Sequence, residues 1–417
     1  MLYKFGLEAF NGSIVALATN RYDYEAFVNG TPTRIAYGMV ELIRRVIPRD
    51  LVGGNVQKLR RMDALVHIFY EIAGTAGAFC TALALIPRFG NNYSFLITPV
   101  FFTLACVTWF FIGEEKREKA VHDDSDQPSY FKAVTGGFIL FFESIWTGGK
   151  ILFSSRKFVW LLPGYSIALY GHRYLENGLA PQIARRYLGN SAWSQIMVGG
   201  SNLGELLGAL FVFLLTNLVN TPIPWLRFDA LMLLIVWFLP YWNPPSGQVS
   251  QAWIVAGAFI PISFGWAAGD VSLAAYIQAA IARIETQTKN VSALGAVMAF
   301  LYSLYIVMYA IASPLLGRYI DGVYNRSGGA NGGDIRPAIH NVAGVQFTVL
   351  CIVVFASTFI PKGAISFNPK MLNEEELDED LLDDADVMEK AKESPSTSVA
   401  NVQNENLYDK VQMPASL

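Results

Sequence analysis

Apolar residues run along this chain in long blocks rather than in strict alternation. Eight blocks are long enough for membrane-crossing helices, which need about 20 mostly apolar residues to cover roughly 30 Å of hydrocarbon. They lie at approximately 66–87, 92–112, 156–175, 192–217, 224–242, 251–281, 292–316 and 339–361. Several carry an internal Gly or Pro, which helices in lipid tolerate better than helices in water. Trp and Tyr gather at many block ends, as in WLLPGY (160–165) and LPYWNPP (239–245), where amphipathic rings suit the headgroup zone. The pattern predicts an all-α, polytopic membrane protein.

Three further segments are weaker. Residues 5–20, FGLEAFNGSIVALATN, are short and include Glu8. Residues 35–52, IAYGMVELIRRVIPRDLV, hold Glu41, Arg44 and Arg45. Each reads as a half-length span or an interfacial helix. Residues 131–153, FKAVTGGFILFFESIWTGGKILF, are flanked by glycines and lysines and read as an amphipathic segment along the cytoplasmic interface.

Composition sharpens this picture. Of 417 residues, 53% are hydrophobic and only 16% charged, against about a quarter in soluble domains. Much of the acid sits in EEELDEDLLDDAD (374–386), so the blocks themselves are poorer still in charge. The net charge of -3 balances a basic middle against an acidic tail, and says little about partners.

Loop charge predicts orientation. Arg44, Arg45, Arg49, Lys58, Arg60 and Arg61 precede the first strong block, and Lys116, Arg117 and Lys119 follow the second. Both groups are expected on the cytoplasmic side, of the plasma membrane or an internal one. Eight crossings return the C-terminus to that side. The tail at 362–417 is polar enough to predict a disordered cytoplasmic segment. Arg185, Arg186, Arg318, Arg326 and Arg336 then fall outside, against the trend. Asn325, in N-R-S, would lie outside as a glycosylation acceptor or as a chance match.

Familiar chemistry is absent. There is no P-loop, no H-E-x-x-H, no G-x-S-x-G and no Cys/His cluster. His67, His122, His172 and His340 read as lying at span edges or in loops. Cys80, Cys106 and Cys351 lie within apolar segments and read as packing residues rather than as ligands or disulfides. Basic residues follow topology rather than aromatics, which argues against nucleic acid. The expectation is a protein that is not an enzyme and has no cofactor or metal. Its partners are the bilayer and a small solute, with H+ as a coupling ion to consider; oligomeric state is not legible.

Acids inside apolar blocks are the chemical signal, because intramembrane carboxylates are costly and usually functional. In GGSNLGELLGAL, Gly200, Gly204 and Gly208 recur every four residues and make a smooth face for close helix packing. Glu205 is one residue on, about 100° around the helix. In GAFIPISFGWAAGD, Gly257, Pro261, Gly265 and Gly269 repeat likewise, and Asp270 follows directly. Glu71 precedes Gly74 by three. Three blocks thus pair an acid with small residues. Each acid is read either as a proton-loading group or as a packing group satisfied by a neighbour. Gln278, eight residues beyond Asp270, is a further candidate. Pro261 is read as a helix break or as an ordinary kink. His172 and Arg173, in ALYGHRYLENG, are gate or anion-contact candidates, although an Arg at a span end readily snorkels to water.

Several stretches resemble the major facilitator superfamily, in particular a fungal-type group of general substrate transporters. They are YKFGLEAFNGSIVALATNRYD (3–23), YGMVELIRRVIPRDLVGGNVQKLRRMDALVHIFYEIAGTAGA (37–78), FGNNYSFLITPVFFTLACVTWFFI (89–112) and APQIARRYLGNSAWSQIMVGGSNLGELLGAL (180–210). The opening stretch resembles the family's first span and residues 34–52 its fourth, so the second and third spans are expected to be lacking. The resemblance implies an incomplete N-terminal bundle at 1–112, a central cytoplasmic loop at 113–155, and a six-helix bundle at 156–361. It implies alternating access by two rocking bundles, driven by a gradient. Glu71 and Glu205 would then face one another's region at the bundle interface, and Asp270 the cavity. The lacking spans leave open a transport-incompetent interaction or regulatory subunit, or an incomplete gene product.

Overall fold

A computed structural model describes residues 1–10, 56–112, 130–154, 156–219, 221–281, 292–329, 332–361, 363–366 and 369. The weak segment at 35–52, most of that at 5–20, His122, and nearly all of the acidic tail lie outside the described residues.

No strand occurs among the described residues. Their helical stretches are, in order, α1 (2–10), α2 (Val56–Gly90), α3 (Ile97–Ile112), α4 (Tyr130–Ser154), α5 (156–186), α6 (Ser191–Leu215), α7 (Ile223–Tyr241), α8 (Val249–Ile281), α9 (Ala293–Arg326) and α10 (Arg336–Ser357). Six of these, α2 and α6 to α10, are long and apolar enough to cross a membrane.

That number corrects the expected eight. The block at 92–112 is interrupted by a tight turn at Ser94–Leu96, shortly after α2 ends at Gly90, whose φ of 71° only glycine adopts readily. What remains, α3, is 16 residues, short of a full crossing. The block at 156–175 is not one regular helix either. In α5 the chain passes through two π-turns, Leu162–Ile167 and Leu175–Leu179, and it carries Arg156, Lys157, His172, Arg173 and Glu176.

Helix α6 is central, packed most extensively on α8 and α2. At the three-helix junction the core is built from Ala64, Ala209, Val212, Ala268 and Val271, with Ile68, Phe213 and Trp225 around it. Small side chains there let backbones approach closely. Gly200, Gly204 and Gly208 of α6 lie directly on the backbone of α8 at Ala256, Ile260 and Phe264. On α8, Gly265 and Gly269 face Asp229 and Leu226 of α7, while Gly257 faces open space. Pro261 lies within α8, which runs on as helix through it. The outer faces are apolar: Phe111, Phe142, Trp146, Leu214 and Ile352 are all exposed. That is a surface suited to lipid rather than water. Helix α4 packs along α9, with Gly148 against Ala296 and Gly149 against Phe300.

Candidate functional site

The densest polar cluster sits between α1, α2, α5 and α6. On α2, His67, Tyr70, Glu71 and Gly74 follow the i, i+3, i+4, i+7 spacing of one helix face, and all are buried. On α6, Ser201, Asn202 and Glu205 present the facing side, each at most 1% exposed. His67 Nε2 lies 3.3 Å from Glu205 Oε2 and 3.9 Å from Glu71 Oε1. The imidazole therefore stands between two carboxylates from different helices.

Helix α1 closes the cluster. Lys4 Nζ is 2.8 Å from Glu8 Oε1, 3.8 Å from Glu71 Oε1, and 4.8 Å from the centre of the Tyr70 ring. Lys4 is 2% exposed, so its charge is held by these partners rather than by solvent. Gly74 makes the space. A Cβ there would sit 2.5 Å from Lys4 Cε, 2.9 Å from Glu71 Oε2 and 3.2 Å from Asn202 Nδ2. Asn202 is wholly buried, yet neither its Oδ1 nor its Nδ2 has a hydrogen-bond partner among the described residues, and the same is true of Glu205 Oε1.

Helix α5 extends the network. Arg173 Nη1 donates to Glu176 Oε2 at 2.8 Å, Ser201 Oγ donates to Glu176 Oε1 at 2.7 Å, and Ser201 and Ser263 share a 2.7 Å hydrogen bond. The π-turn at Leu175–Leu179 begins one residue before Glu176, and such register slips often re-aim side chains at functional sites. No protein-family model, curated protein or solved structure matches the chain. The site is therefore read from its own geometry.

The candidates from sequence fall in several places. Glu71 and Glu205 are brought together. Asp270 is buried in α8, and Gln278 Nε2 donates to Asp63 Oδ2 of α2 at 2.9 Å rather than standing beside Asp270. His172 is 2% exposed, bonded to Asp229 Oδ1 at 2.8 Å, and stacked on Trp266. Arg173 Nη1 pairs with Glu176 Oε2 at 2.8 Å. Asn325 is exposed at the end of α9.

Sequence reasoning missed His67, Lys4, Glu8 and the Arg173–Glu176 pair. A signal for His67 existed in HIFYE, where His and Glu four residues apart share a helix face. Nor was a metal expected from the sequence. Among the described residues, one ligand atom each from His67, Glu71 and Glu205 lie within 4.8 Å of one another, a set able to hold an ion.

Proposed function

We propose that this chain is a gradient-driven membrane transporter that moves a small solute by alternating access. The observation that supports the reading is the ionisable network buried between long apolar helices, centred on His67, Glu71 and Glu205. Charge buried at such depth is costly to keep and marks ion or substrate pathways in membrane proteins. Groups from four helices meet there, so binding or release of a cation at the network acts on how those helices pack. The sequence resemblance to the major facilitator superfamily points the same way. In this reading the network is the coupling site and binds a cation in one phase of the cycle.

The test uses proteoliposomes holding the full chain and a panel of radiolabelled amino acids, sugars and carboxylic acids. Concentrative uptake of one member under an imposed ion gradient is expected, and Glu205→Gln is expected to abolish it at equal protein level. Absence of uptake for every member, under either gradient polarity, overturns the reading in favour of a transport-incompetent subunit.

A further inference from the structure

We infer that His67, Glu71 and Glu205 form a binding site for one divalent transition-metal ion, with the Asn202 amide beside it. The inference rests on reading the network as a cation site, and goes beyond it by naming the cation.

Three observations carry it. The first is spacing. Two ligand atoms held about 2.1 Å from one tetrahedral ion stand roughly 3.4 Å apart. The His67–Glu205 and His67–Glu71 separations of 3.3 and 3.9 Å bracket that value, and all three ligand atoms lie within 4.8 Å. An ion placed among them needs only side-chain rotation.

The second is charge. Among the described residues, the linked cluster holds four carboxylates, Glu8, Glu71, Glu176 and Glu205, against two fixed cations, Lys4 and Arg173. Lys4 is closest to Glu8 and Arg173 to Glu176. The carboxylates of Glu71 and Glu205 flank His67 at 3.9 and 3.3 Å. Buried carboxylates gathered in this way are paired or coordinate a metal ion.

The third is the unmet hydrogen-bonding capacity around the same point. Asn202 is 0% exposed, and both ends of its amide lack a partner among the described residues. Its Nδ2 and Glu71 Oε2 converge on the space over Gly74. Glu205 Oε1, one turn along α6 from Asn202, is also without a partner among the described residues. Orphan polar atoms of this kind are rare in a packed interior and call for a missing ligand or a bound water. An amide oxygen can join the coordination shell, or the amide can hold a metal-bound water.

The donor set gives the class of ion. One imidazole and two carboxylates suit zinc, iron or manganese, whereas magnesium prefers oxygen ligands alone and loses its waters reluctantly.

The experiment is zinc binding by the full chain. Protein in detergent is stripped with a chelator, dialysed against Zn²⁺, desalted, and assayed for metal by mass spectrometry. The double variant His67→Ala/Glu205→Gln is treated identically, and it keeps the same acidic tail. One more equivalent in the native chain than in the variant is expected, not displaced by a large excess of Mg²⁺. Gly74→Ala, whose methyl would push Glu71 and Lys4 aside, is expected to weaken Zn²⁺ binding by about a hundredfold, a loss of the size that disturbing a metal's supporting shell produces. Equal zinc in native and double-variant protein overturns the site, as does no retained zinc in the native chain. Where the variants fail to fold, X-ray absorption of the zinc-loaded native chain decides. One imidazole in the shell supports the site, and an all-oxygen or sulfur-containing shell overturns it. Zinc binding without solute uptake overturns transport alone, and uptake without zinc binding overturns this site alone.

Discussion

His67 of α2 and Glu205 of α6 approach to 3.3 Å in a region where each side chain is at most 5% exposed. The contact ties two of the six long apolar helices through charge rather than through van der Waals packing alone. Removing one partner of a buried pair leaves the other desolvated and uncompensated, at a cost of roughly 3–5 kcal/mol. Glu205→Ala is therefore expected to lower the melting temperature in detergent markedly. Glu205→Gln, which can still accept a hydrogen bond from His67, should lose much less. Equal melting of the two variants would show that the carboxylate charge contributes nothing to the joint.

The second buried His–carboxylate pair makes an independent test. His172 Nε2 and Asp229 Oδ1, 2.8 Å apart, join α5 to α7, and the imidazole also stacks on Trp266 at 5.0 Å between ring centres. Asp229→Ala should destabilise by about 3 kcal/mol or more on the same reasoning. Asp229→Asn, able to keep the hydrogen bond, should retain most of the native stability. Because the site lies on different residues from the His67 cluster, neither variant is expected to change zinc retention.

Tyr187, between α5 and α6, offers a test by pH. Burial, with the Asp334 carboxylate nearby and Arg336 opposing it, pushes its phenol above the ordinary value. A raised phenol favours the protonated form in the folded state. Its contribution is therefore complete below the unfolded pKa of about 10 and is lost as pH rises above it. Native protein should thus lose stability faster than Tyr187→Phe between neutral pH and strongly alkaline pH, as read from melting temperature against pH. Parallel curves would place the phenol in a water-like setting.

Part of this arrangement was legible in the sequence. The four-residue glycine spacing at 200, 204 and 208 marked a packing face, and the acids inside apolar blocks marked Glu71 and Glu205. His67 was misplaced because hydropathy starts a span at residue 66, whereas α2 begins at Val56. The polar run QKLRRMD hides the first turns of that helix from an apolar window. Lys4 reaches Glu71 from a distant part of the sequence, and no local pattern reports such a contact. The count of crossings failed for a related reason. Hydropathy sums composition, and it does not register the turn at Ser94–Leu96 that shortens α3.

The glycine seam gives the sharpest contrast between neighbouring positions. A Cβ on Gly204 would lie 2.9 Å from Ile260 Cα and still closer to the Ile260 carbonyl oxygen. Those are backbone atoms, which cannot swing away as a side chain can, so even Gly204→Ala must force α6 from α8. Overpacking of this kind costs typically about 1–3 kcal/mol. Gly257 sits in the facing helix with no atom within 4 Å of the place a Cβ would take, so Gly257→Ala meets no clash. Alanine also gains about 1 kcal/mol of helix propensity over glycine. Gly204→Ala is expected to lower the melting temperature and Gly257→Ala to leave it unchanged or raise it. The two substitutions add the same methyl group to glycines in apolar helices, so a difference between them reads the closeness of the α6–α8 contact. If both variants melt with the native protein, the two backbones do not touch at Gly204 and the packing of the central helix pair is different from the one described.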